Sequence, residues 1–100
     1  MTEPVVHQVL FYDYVEDVLE RRGPYRDEHL AHARQWKDDG RLVSAGALGN
    51  PPTGAMFVFL VDDAAQVDAY VAADPYVANG IVTGHRVVPW TVVVSLASGR

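Results

Sequence analysis

Pro24-Tyr-Arg-Asp-Glu-His-Leu-Ala-His-Ala-Arg-Gln-Trp-Lys-Asp-Asp-Gly40 is the stretch on which the reading of the chain turns. Proline suits the first helical position, Asp27 and Glu28 fall in the first turn where the helix dipole favours anions, and Gly40 is a natural stop. Wound at about 100° per residue, Tyr25, His29, Ala33 and Trp36 form one stripe with Leu30 and His32 at its margins. Asp27, Glu28, Arg34, Gln35 and Asp38 take the opposite side. The spacing predicts an amphipathic helix that carries an ionisable group, His29, near the middle of its buried face, with Arg26 one turn before it. Two roles compete for that histidine. It is either a core imidazole satisfied by a backbone carbonyl or water, or a general acid or base, because a histidine titrates near neutral pH and its surroundings move it easily.

On the N-terminal side, Val5 to Tyr12 is β-branched and aromatic, and too apolar on both sides for a strand with one wet face, so a central strand is expected. Val15 to Arg22 has Val15, Val18 and Leu19 at helical spacing and reads as a short helix or structured loop, ended by Gly23-Pro24. Beyond Gly40, Arg41 to Leu48 reads as a strand with Leu42, Ser44, Gly46 and Leu48 on one face, where Gly46 leaves room for something to approach the backbone. Gly49 to Gly54 is turn chemistry, and Ala55 to Val61 completes a hairpin.

Asp62-Asp63 caps a second helix in which Val67, Tyr70, Val71 and Asp74 share a stripe until Pro75 ends it. A carboxylate there faces the negative end of the helix dipole, at an expected cost of roughly 0.3 to 1 kcal/mol that a nearby cation would offset. Asp74 is on these grounds an ordinary helix-ending Asp-Pro turn, unless something cationic lies beside it. Pro75 to Gly84 reads as a loop with one helical turn, His85 to Val94 as a last strand whose Pro89 argues for an edge position or bulge, and 95–100 as a frayed tail.

The order β-α-β-β-α-β is that of a ferredoxin-like α+β sandwich, with a four-stranded antiparallel sheet and both helices on one face. One hundred residues, 49% of them hydrophobic, suffice for a single domain over 1–94 and leave no room for separate binding and catalytic domains. The strands are apolar on both faces, so a homodimer packed sheet to sheet is expected. A net charge of −5 with no basic run argues against a nucleic-acid partner. The absence of cysteine excludes disulfides, thiolate metal sites and thiol nucleophiles. No basic n-region opens the chain and no run approaches the roughly 18 apolar residues that span a bilayer, so a soluble cytoplasmic protein with no membrane partner is expected.

The residues Arg26-Asp-Glu-His29-Leu30, Gly40-Arg-Leu42, Ala45-Gly46, Asp74-Pro75-Tyr76-Val-Ala78 followed by Gly80, and Val88-Pro89 occur in an order and spacing that resembles the YCII (YciI-like) family, in the dimeric α/β barrel superfamily. The likeness runs over nearly all of 5–94. It implies a catalytic pair formed by His29 and Asp74 in a cleft, and its known members and superfamily imply proton-transfer chemistry, since they include an elimination enzyme of chloroaromatic breakdown and muconolactone isomerase. One position departs from the pattern: Ala47 stands where the family usually has proline, so an altered cleft wall is expected.

Under this reading Asp74 accepts a hydrogen bond from one nitrogen of His29, and the other nitrogen exchanges a proton with a small, cyclic or aromatic acid. Arg26 would hold an acidic oxygen of that ligand, with Gly46 and Tyr76 lining the cleft. No cofactor motif is present, which leaves isomerisation, elimination of the dehydrochlorinase type, or hydration. Two rivals stand beside it: a module that binds a metabolite without turning it over, and a metal site built from His29, His32 and Asp74. His7 and His85, at strand starts, read as exposed or packing residues.

Overall fold

A computed structural model describes residues 5–95; of the tail expected at 95–100, all but Ser95 lies outside them. The elements run β1 (Val5–Tyr14), α1 (Val18–Arg21), α2 (Gly23–Asp38), β2 (Leu42–Leu48), β3 (Gly54–Phe59), α3 (Ala64–Ala72), α4 (Pro75–Ala78) and β4 (Val82–Val92). The four strands form one antiparallel sheet in the order β2-β3-β1-β4, which is the ferredoxin-like arrangement. Helix α2 buries His29 and Trp36 and exposes Asp27, Glu28, Arg34, Gln35 and Asp38, as the helical period requires. Gly40 follows the helix at a φ of +77°, a left-handed conformation that glycine adopts without the steric cost a Cβ would add. Asp63 caps α3 by accepting from the Gln66 amide.

One core lies between the helices and the sheet. Leu10 and Tyr12 of β1 and Phe57 and Phe59 of β3 meet Trp36 of α2 and Val67, Tyr70 and Val71 of α3. Trp36 and Tyr70 stand edge to face, as do Phe59 and Tyr70, so the aromatic rings interlock rather than stack in one plane. A smaller cluster of Val18, Tyr76 and Ile81 ties α1 and α4 to the end of the sheet.

Two sequence expectations are corrected here. The alternation along β2 breaks at Val43: Leu42 pairs with Phe59 but Ser44 pairs with Val58, so the extra residue turns Leu42 to the core and Ser44, Gly46 and Leu48 to the opposite face. Ala45 and Ala47, paired with Phe57 and Ala55, are the residues that face the helices. The second correction concerns Asp74, which is not the last residue of the α3 stripe. Helix α3 ends at Ala72, and Asp74, with extended dihedrals of φ −80° and ψ 122°, is the N-cap of the separate single turn α4. Proline at 75 disfavours the α conformation in the residue before it and is itself well suited to the first position of the new turn.

Pro89 lies on β4, an edge strand, the position in a sheet where a proline is tolerated. On the face away from the helices the register aligns Val9 with Val58 and Val88, and His7 with Trp90. Val88 and Trp90 are 37% and 46% exposed there, and the Arg86 guanidinium lies 4.4 Å from the Phe11 ring centre. No helix among the described residues is long and apolar enough to cross a membrane.

Candidate active site

Helix α2 and the turn between α3 and α4 converge on one hydrogen-bonded cluster. The Nδ1 of His29 lies 2.8 Å from Oδ1 of Asp74. The same oxygen accepts the Tyr76 amide at 2.9 Å, which is the capping bond of α4, and Oδ2 accepts the Tyr12 hydroxyl at 2.7 Å. Asp74 is 0% exposed and His29 6%. The carboxylate is thus stripped of water and acts as acceptor toward three protein donors, which supply what the dipole argument sought from a cation. A carboxylate oxygen can only accept, so a neutral imidazole meets it with Nδ1–H, which leaves Nε2 as the unprotonated nitrogen. No hydrogen bond among the described residues engages Nε2.

Packing holds the imidazole as firmly as bonding does. Its ring lies parallel to that of Tyr76 at 3.7 Å between centres, and Phe57 meets it edge to face at 6.2 Å. One residue, Tyr76, therefore anchors Asp74 through its backbone and His29 through its ring. Burial, and then the charge of Asp74, hold the Tyr12 hydroxyl well above the usual phenol range, so it stays a donor. Burial first, then Tyr76 and Asp74, push the Tyr14 hydroxyl up to about 12, so at neutral pH it can donate a proton in a hydrogen bond but cannot act as a base.

His29 and Tyr76 open onto a cavity of about 480 Å³ between α2 and the β2–β3 hairpin. Arg22 and Arg26 line its helix side, Ala45, Gly46, Ala47 and Phe57 its sheet side, and Tyr14 and Pro52 its end. Gly46 contributes backbone alone: a Cβ there would meet nothing within 4 Å. The small side chains that make room are those of Ala45 and Ala47.

His32 is elsewhere. Its Nε2 lies 2.9 Å from the Tyr70 carbonyl, to which it donates, and its ring stacks on Tyr70. Among the described residues no three His, Cys, Asp or Glu side chains are grouped to hold a metal ion. His85 is exposed and His7 packs 6.0 Å from Trp90, both apart from the cavity.

Sequence reasoning missed three members of the site. Tyr12 is two residues from Leu10 on a strand and so shares its core-facing side, and a core-facing tyrosine needs a partner for its hydroxyl; that signal was available. Phe57, which meets the imidazole edge to face, lies within the Ala55 to Val61 strand, where nothing in the sequence sets it apart from its neighbours. Arg22 is four residues before Arg26, but the Gly23-Pro24 break concealed that it lies at the head of α2.

An antiparallel α+β sandwich with a buried imidazole–carboxylate pair at the mouth of a cavity defines the class. The chain belongs to the YCII-related domain family, whose model matches residues 6–91. Among curated relatives, Protein YciI of Escherichia coli O6:H1 is 32% identical over 94 residues, covering 85% of this chain and 96% of that protein. An uncharacterized protein of Haemophilus influenzae is 27% identical over 99 residues, covering 88% and 99%. Among solved structures, the 5-chloro-2-hydroxyhydroquinone dehydrochlorinase of Burkholderia phenoliruptrix, in complex with 2,5-dihydroxybenzoquinone, superposes with a TM-score of 0.72 at 17% identity, covering 85% of this chain and 93% of that one. An uncharacterized NIPSNAP domain protein from Burkholderia xenovorans gives 0.53 at 21% identity, over 88% and 94%. At these identities the structural likenesses speak for the fold alone.

Proposed function

We propose that this chain is an acid–base enzyme that moves a proton on a small cyclic or aromatic acid, in an isomerisation or an elimination of the dehydrochlorinase type. The observation that carries the reading is the 2.8 Å contact between His29 Nδ1 and Asp74 Oδ1 beside a cavity large enough for a single ring. In the proposed cycle Asp74 fixes the tautomer of His29, and Nε2 takes a proton from carbon or oxygen of the ligand. Proton acceptance makes an imidazolium, which the adjacent carboxylate stabilises, and the same nitrogen returns the proton to the product or a leaving group. Arg26 binds an acidic oxygen, and the Gly46 backbone and Tyr76 line the pocket. The named activity of the dehydrochlorinase relative in fold agrees with this class of chemistry, though that activity belongs to that protein.

Exchange in D2O tests the reading on a panel of compounds rather than on one chosen substrate. Small hydroxyquinones and unsaturated cyclic acids incubated with the protein are expected to gain deuterium, seen by mass spectrometry, and His29→Gln is expected to abolish the gain. Equal incorporation by His29→Gln would refute the base assignment. A ligand that binds and is recovered without deuterium identifies instead a module that holds a metabolite unchanged.

The working form in this proposal is a homodimer. Val88 and Trp90 leave the helix-free face of the sheet apolar and exposed, and a second sheet is the layer such a face lacks. Light scattering at micromolar concentration should give twice the protomer mass, and Trp90→Glu should shift it toward one. A single protomer mass for the unmodified chain contradicts the dimer.

A further inference from the structure

Two arginines line the cavity with no anion to answer them. Arg22, at the head of α2, and Arg26 are four residues apart and so are neighbours on the helix surface, where like charges repel. Carboxylates are not scarce in a chain with 13 Asp+Glu against 8 Lys+Arg. Arg21 reaches Asp17 and Arg41 reaches Asp39, yet among the described residues neither Arg22 nor Arg26 has an ion pair. The N-terminus of α2 also has no capping side chain, and its dipole adds to the positive potential.

A second, independent sign is the Tyr76 hydroxyl. Tyr76 is 2% exposed, its hydroxyl has no hydrogen-bond partner among the described residues, and it lines the same cavity. Burial raises its pKa while Arg22 and Arg26, which line the same cavity, pull against that. An unpartnered buried hydroxyl weakens a fold, and a pair of unanswered guanidinia gives the fold nothing in return. A carboxylate supplies what all three groups lack. Its two oxygens match the guanidinium fork and leave a lone pair for the phenol.

We infer that Arg22, Arg26 and the Tyr76 hydroxyl form an anion clamp that selects carboxylate ligands, holding the charged group at the head of α2 so that the ring extends along the helix toward His29. This rests on reading the cavity as the substrate site, but not on turnover. Arg22 is on this account a specificity-determining residue, and Tyr76 serves three tasks: it caps Asp74, stacks on His29 and donates to the ligand.

Titration of the full chain with benzoate, and with benzamide as its uncharged counterpart, tests the clamp by NMR. Benzoate is expected to shift the signals of Arg22, Arg26 and Tyr76 saturably, and benzamide to leave them unmoved. Arg22→Gln should weaken benzoate about tenfold, the worth of one charge-assisted hydrogen bond, and Arg22→Lys should recover part of the loss. Tyr76→Phe keeps the ring and the amide, so it should weaken benzoate while leaving the urea midpoint of unfolding equal or higher. The clamp is overturned if benzoate does not bind at millimolar concentration, if benzamide binds as well, if Arg22→Gln binds as the wild type does, or if Tyr76→Phe is destabilised. The outcomes separate from those for catalysis: His29→Gln should still bind benzoate. Deuterium exchange that depends on His29 but is accompanied by benzoate binding indifferent to Arg22 would sink the clamp and leave the enzyme reading standing.

Discussion

Replacing Asp74 by alanine is expected to cost about 3 to 5 kcal/mol of stability, the usual loss when one partner of a buried polar cluster is removed, and to lower turnover by about 10² to 10⁴. The size follows from what is orphaned. Asp74 is 0% exposed and accepts from the Tyr12 hydroxyl, the Tyr76 amide and His29 Nδ1, so its loss leaves three donors without a partner inside the core. Tyr12 is 1% exposed and has no water to turn to. Helix α4 loses its cap, and with it the fixed positions of Tyr76 and the ring stacked on it. Asp74→Asn separates the effects: it keeps the shape and one acceptor, so the fold should suffer less, while the imidazolium of the proposed cycle loses its counter-charge. Urea unfolding checks the first quantity and steady-state kinetics the second. A wild-type midpoint for Asp74→Ala would mean that these bonds do not hold the site together.

The fold was legible because its signals are periodic. The α2 stripe, the hairpin turn at Gly49 to Gly54 and the Asp63 cap each obey a local rule that tertiary contacts do not override. Where two local rules met, the reading went astray. Val67, Tyr70, Val71 and Asp74 fit a helical stripe, but the restriction that proline places on the residue before it had already removed Asp74 from the helix. The consequence is chemical as well as geometric, for Asp74 at an N-cap is stabilised by an amide where the helix-end position would have opposed the dipole. The bulge at Val43 left no mark in the sequence, since Leu42, Ser44 and Gly46 alternate regularly and only the pairing with β3 shows the slip. That slip moved the role expected of Gly46 onto Ala45 and Ala47. The meeting of His29 with Asp74, 45 residues apart, was inferred through family resemblance, because periodicity assigns a side chain to a face but not to a partner on another element.

Gly54→Ala is expected to destabilise the chain by about 3 kcal/mol, the upper range for forcing an extra carbon into packed structure, although it adds one methyl at the end of a strand. Gly54 is buried between two strands, paired with Asp13 of β1 and Leu48 of β2. A Cβ there would collide with the Tyr12 carbonyl oxygen, and that atom belongs to the backbone of a central strand, so no rotamer change relieves the clash. Either β3 moves away and strains the neighbouring bond from the Tyr14 amide to the Thr53 carbonyl, or β1 moves and carries Tyr12 with it. The second course reaches the site, because the Tyr12 hydroxyl holds Oδ2 of Asp74 at 2.7 Å. Gly46→Ala supplies the contrast within the same sheet: open space surrounds its Cβ, and its stability should stay within about 0.5 kcal/mol of the wild type. Urea midpoints of the two variants decide the matter, and a Gly54→Ala chain as stable as Gly46→Ala would show that β1 and β3 do not approach as closely as the Asp13–Gly54 register requires.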